Sequence, residues 1–186
     1  MRFGWLGLLL LLSMRANALQ VAGVDVADSV KVGADQVLVL NGAGIRDKFF
    51  LDIYVAELYL SSKAQDADKV LSMPAPKRIV MHFLYKEVDR EKLVDGWNEG
   101  FELNLSKTAL QAIKPRLEQF NGFFKTVHAG DRIILDQLAD GATQVSLNDD
   151  VLGRIEGADF YRALLQIWIG KEPISTDLKE ALLGLE

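Results

Sequence analysis

Cysteine is absent from the chain, and with it go disulfides, thiolate nucleophiles and sulfur-ligated metals. Histidine is nearly absent too. His82 and His128 lie far apart in sequence, so no histidine-rich metal site is expected; His82, on an apolar strand, reads as a core or edge residue, and His128, near Gly130, as a loop residue. No apolar run reaches the ~20 residues that a membrane span needs. No low-complexity linker or internal repeat divides the chain. A cationic surplus is missing as well: 21 Lys and Arg stand against 26 Asp and Glu, which argues against nucleic acid as a partner and against electrostatic adsorption to anionic lipid. No cofactor and no metal are expected.

What is present begins with a leader. Met1-Arg2 gives a positive start, residues 5–12 an apolar run, and Ala16-Asn17-Ala18 an A-x-A cleavage pattern. Residues 1–18 are therefore expected to be a signal peptide cleaved near Ala18, leaving residues 19–186 as a single periplasmic or secreted domain. Two of the 21 cationic residues, Arg2 and Arg15, belong to the leader, so 19 remain against 26 acids and the mature net charge is about −7.

Periodicity then outlines the domain. Residues 19–32 read as a short strand pair, and residues 36–40 and 49–60 as two clear strands joined through a Gly42-Ala43-Gly44 turn. The second of these is apolar on both faces, which predicts cover on both sides. A helix over 66–72 is stopped by Pro74 and Pro76, and residues 78–85 form another strand. From Asp89 a helix carries Leu93, Val94, Trp97, Phe101 and Leu105 as one apolar stripe. Pro115 is read as opening a further helix, with Leu117, Phe120, Phe123 and Phe124 inward. Strands over 131–138, 143–147 and 151–155 precede two final helices, 158–169 and 176–185, the last capped by Ser175. This order predicts an α+β fold, a mostly antiparallel sheet with helices packed on one face.

Arg46 is the leading candidate for chemistry. A guanidinium beside glycines, between strands with little polar surface, is placed to hold an anion or an enolate oxygen; the plain alternative is a surface pair with Asp47 or Asp52. Asp149-Asp150 reads as a turn with too few oxygen ligands for calcium, and the Asp25/Asp28 and Glu99/Glu102 pairs as solvated faces.

Two segments resemble the chalcone isomerase-like family: Asn41-Gly-Ala-Gly-Ile-Arg46 running on to Tyr59-Leu60, and Ile169-Gly-Lys-Glu-Pro-Ile-Ser-Thr-Asp-Leu-Lys179. The resemblance implies an open-faced β-sandwich over the whole mature chain. In enzymes of the family the arginine, at Arg46 here, steadies developing negative charge with the help of threonine, tyrosine and asparagine side chains. Of those, the second-strand threonine falls at Tyr54 and the C-terminal threonine at Ile167, and no tyrosine or asparagine matches around residues 89–96. In the fatty-acid-binding branch an arginine and a tyrosine clamp a carboxylate above an apolar cavity, which implies Arg46 and Tyr54 as the clamp and Trp97, Phe101, Trp168 and Phe124 as walls. Three functions stay open: a binding protein for a fatty acid or similar small amphipathic acid, an intramolecular lyase using Arg46 at an oxyanion with Tyr54 as donor, and an envelope accessory domain without ligand.

Overall fold

The computed structural model describes residues 19–33 and 36–185, so the expected leader lies outside the described residues. Strands β1 (Leu19–Val21), β2 (Val24–Val26) and β3 (Ser29–Val32) lead into the long β4 (Gln36–Lys48) and β5 (Leu51–Leu60). Helix α1 (Ala67–Ser72), β6 (Lys77–Phe83) and β7 (Glu87–Val88) follow, then α2 (Arg90–Asn104), α3 (Lys107–Gly122) and β8 (Val127–His128). The chain closes with β9 (Arg132–Gln137), β10 (Thr143–Leu147), β11 (Asp150–Ile155), α4 (Ala158–Ile169) and α5 (Thr176–Leu182). Seven strands form one sheet, antiparallel at every pairing, in the order β11-β10-β9-β6-β5-β4-β3. The expected α+β class is what the chain adopts.

Strand alternation divides the apolar residues between two cores. Ala56, Leu58, Leu60, Ile79, Met81 and Ile133 face the helices and meet Trp97, Phe101, Phe120, Phe160 and Trp168. Val55, Tyr59 and Val80 face the other way and are covered with Leu38 and Leu40 by Val24 and Val26 of the β1–β2 hairpin. β5 is thus buried on both faces, as its composition requires.

Two local readings change. The Gly42-Ala43-Gly44 segment is no turn: it lies inside β4, and the chain reverses seven residues after Gly42, at Phe49-Phe50, so the strand expected over 49–60 begins only at Leu51. The glycines serve a close approach instead. A Cβ at Gly42 would run into the carbonyl oxygen of Ala181, and one at Gly44 would sit 2.6 Å from the Ala181 Cβ, so α5 can rest on β4 only where side chains are missing. Pro115 does not open a helix either. α3 begins at Lys107 because the Ser106 hydroxyl accepts from the Ala109 N–H, and Pro115 sits in its interior.

The two segments that carry the family resemblance meet in space. After Gly170 ends α4, the Ser175 hydroxyl caps α5 by accepting from Leu178 N–H, and Lys179 Nζ returns to the Gly170 carbonyl at 2.7 Å. Asn41, buried at the start of the glycine segment, donates to the carbonyls of Leu182 (2.7 Å) and Ala64 (3.0 Å) and accepts from Ala64 N–H at 2.8 Å. Its amide therefore satisfies three backbone groups that would otherwise be buried unpaired. Most of the motif is explained by this packing; Arg46 is not.

Candidate ligand-binding site

Arg46 and Tyr54 are direct partners across the β4–β5 pair. Opposed residues of an antiparallel pair project to the same face with Cβ atoms ~4.5–5.5 Å apart, so guanidinium and phenol stand side by side. The register shifts just beyond Arg46, a bulge of the kind that re-aims a side chain.

The hydrogen-bond roles are fixed by a neighbour. Trp168 Nε1 donates to the Tyr54 hydroxyl at 3.1 Å. An indole N–H can only donate, so the phenol oxygen accepts here and its own O–H remains for another acceptor. Among the described residues it has none. Burial pushes the Tyr54 phenol up to about 12, against the opposing pulls of the Trp168 hydrogen bond and the Arg46 charge. At neutral pH Tyr54 is an uncharged donor. Arg46 is half-buried; one of its Nη atoms donates to the Asp47 backbone carbonyl, and among the described residues it forms no ion pair with Asp47, Asp52 or any other carboxylate.

Both side chains open onto a cavity of about 570 Å3 between the helix-side face of the sheet and α2. Small-molecule sites span roughly 300–1,000 Å3. The inner wall is apolar: Ile53, Met81, Phe83, Leu93, Trp97 and Ile167. Exposed charges of both signs ring the opening, with Lys48 and Lys92 set among Glu87, Asp95, Glu99 and Glu172. Gly96 also lines it, and a Cβ there would meet nothing within 4 Å. The Trp97 indole N–H is buried without a hydrogen-bond partner.

Of the residues singled out from sequence, Arg46, Tyr54 and Trp97 lie on the cavity wall. Trp168 stands one layer behind, orienting Tyr54. Phe101 is fully buried against Phe160 and Phe120, at ring-centre distances of 5.5 and 6.5 Å, and does not reach the cavity; Phe124 packs on Trp97 at 5.3 Å. Met81 and Phe83 were missed, although the alternation of β6 puts them on one face with Ile79. His82 points to the opposite face, where burial and the Arg132 charge lower its pKa. His128 is exposed, 3.1 Å from Glu87. Among the described residues there is no carboxylate or histidine cluster suited to a metal ion, and no helix long and apolar enough to cross a membrane.

A seven-stranded antiparallel sheet with helices on one face and an apolar cavity between the layers defines an open-faced β-sandwich with an internal pocket. The chain belongs to the chalcone isomerase-like family, which it matches over residues 18–184. Among solved structures it is similar to the crystal structure of an Arabidopsis thaliana fatty-acid binding protein (AtFAP1), with a TM-score of 0.67 and 16% identity over 87% of this chain and 92% of that one, a likeness of fold. No curated protein sequence matches the chain.

Proposed function

We propose that the protein is an exported binding protein for a small amphipathic carboxylate such as a fatty acid, gripped at its head by Arg46 and Tyr54 with its tail in the apolar cavity. The observation that carries this reading is the Tyr54 O–H, left without an acceptor beside an arginine that has no carboxylate partner among the described residues, at the wall of an apolar space. Together the two groups offer donors to both oxygens of one carboxylate, and a charge-assisted bond is roughly twice as strong as a neutral one. Binding is favoured over intramolecular lyase chemistry by Ile167, whose position on the wall supplies a methyl surface where the enzymes of the family would place a hydroxyl. Export rests on the leader-like residues 1–18. Organic extraction of the purified protein followed by mass spectrometry tests the reading: stoichiometric fatty acid supports it, and a protein that neither carries nor takes up any acyl acid does not.

Two variants probe opposite ends of the site. Tyr54→Phe is expected to weaken fatty-acid binding by roughly ten- to a hundredfold, the value of one hydrogen bond to a charged group of ~1.5–3 kcal/mol, and to lower stability by ~1–3 kcal/mol because it leaves the buried Trp168 N–H unpaired. Titration and denaturant unfolding read the two effects separately; unchanged affinity would remove the phenol from the head-group site. Gly96→Leu projects a side chain from α2 into the empty space. It is expected to keep or raise stability, since glycine inside a helix costs ~1 kcal/mol relative to a good helix former, while blocking the acyl chain. Equal uptake by Gly96→Leu and the parent would place the tail elsewhere.

A further inference from the structure

The β4–β5 hairpin turns through Phe49 and Phe50, with φ values of 52° and 64°. Positive φ at both central residues is the geometry of a type I′ turn, which asparagine and glycine adopt easily and bulky residues do not. Elsewhere among the described residues the chain holds no bulky side chain at positive φ in its hairpin turns: the β1–β2 turn carries Ala22 at φ 46° and Gly23 at φ 81°, and the β10–β11 turn Asn148 at φ 56°. At Phe49-Phe50 it accepts the strain and gains no internal packing for it, since the rings are 82% and 102% exposed. Strain held at a site that adds nothing to the core points to a role outside the fold.

The tip lies beside the mouth of the cavity. Arg46 and Lys48, on the same hairpin, line it, as do the exposed Tyr85 and Leu103 on neighbouring segments; Leu51, next to the rings, is exposed too. Lys48 Nζ sits 5.8 Å from the centre of the Phe49 ring, an ammonium on a stem able to reach back toward a polar headgroup layer while the ring goes deeper. Charge near the tip is balanced, Arg46 and Lys48 against Asp47 and Asp52. A partner recognised here is therefore apolar and close to neutral. The feature is also a narrow protrusion, suited to a deformable medium.

We propose that Phe49 and Phe50 form a wedge that inserts into the interfacial zone of a neutral lipid bilayer and sets the cavity mouth against it. That the wedge serves cargo exchange rests on the binding function proposed above; the insertion itself does not. The test compares the parent with Phe49→Asn/Phe50→Gly, in chains with identical N-termini, for cosedimentation with phosphatidylcholine vesicles at low and high salt. The parent is expected to bind with little salt dependence, and the variant to lose on the order of 100-fold in partitioning, about tenfold per ring. Because asparagine and glycine relieve the turn, the same variant is expected to melt about a few degrees higher and to keep its affinity for fatty acid in vesicle-free solution. Higher melting with lost vesicle binding is an outcome that a purely structural Phe-Phe turn cannot give. Equal vesicle binding by both chains, absence of binding by the parent, binding only to anionic vesicles, or a parent that self-associates through the tip would each overturn the wedge. Vesicle binding that the parent shows and the variant loses, in a protein that takes up no fatty acid at all, would instead count against the binding function and leave the wedge standing.

Discussion

Arg46→Ala is expected to weaken binding of a long-chain fatty acid on the order of 100-fold while leaving the fold intact. Truncating one member of a hydrogen-bonded charge pair in a desolvated site costs roughly 2–5 kcal/mol, and each 1.4 kcal/mol is a factor of ten. Arg46 brings little to stability: among the described residues its contacts amount to one hydrogen bond to the Asp47 carbonyl and no ion pair. Denaturant unfolding of the variant is therefore expected within ~0.5 kcal/mol of the parent, the usual range for a surface substitution. Arg46→Lys keeps the charge but loses the planar fork, so its affinity is expected to fall between the two. Calorimetric titration of all three proteins reads the series. An Arg46→Ala protein that binds fatty acid as the parent does would leave the guanidinium without a function.

Gly42→Ala is expected to destabilise the protein by ~3 kcal/mol or more, because the new methyl meets backbone and cannot be accommodated by rotating a side chain. The Ala181 carbonyl that stands in the way belongs to α5, whose position is fixed by the Ser175 cap, the Lys179 bond to Gly170 and the Asn41 bond to Leu182. Replacing glycine by alanine also restricts the unfolded chain, which by itself stabilises by ~0.4–1 kcal/mol, so a net loss isolates the clash. Gly96→Ala, where the added methyl enters open space, is the matched control. A Gly42→Ala protein with an unchanged midpoint would mean that α5 does not rest on β4.

How much of this was legible follows from the range of the forces involved. Element types were readable because alternation and helical spacing are local; the α2 stripe and the Ser175 cap needed nothing beyond a few neighbouring residues. The glycine segment was not, since glycine marks a turn and a close approach equally well, and only the position of α5, well over a hundred residues later, separates them. Pro115 misled because proline is favoured in a first turn, whereas Ser106 had already started the helix. In the site, the buried face of α2 proved to have two sides: Leu93, Gly96 and Trp97 border the cavity, while Phe101 faces the aromatic core. Helical spacing finds that face and cannot divide it. The relative direction of Tyr54 and Arg46 depends on register, which the bulges of β4 set, and no alternation within β5 alone could have supplied it.

The central claim is that Arg46 and Tyr54 read a carboxylate above a cavity that reads only hydrocarbon. Titrating the parent protein with palmitic acid and with the alcohol of the same chain length separates the two contributions directly. The acid is expected to bind on the order of 100-fold more tightly, a margin that Arg46→Ala removes, leaving acid and alcohol alike. Equal affinity of the parent for acid and alcohol would contradict the claim, reducing the site to an apolar hole with an arginine beside it.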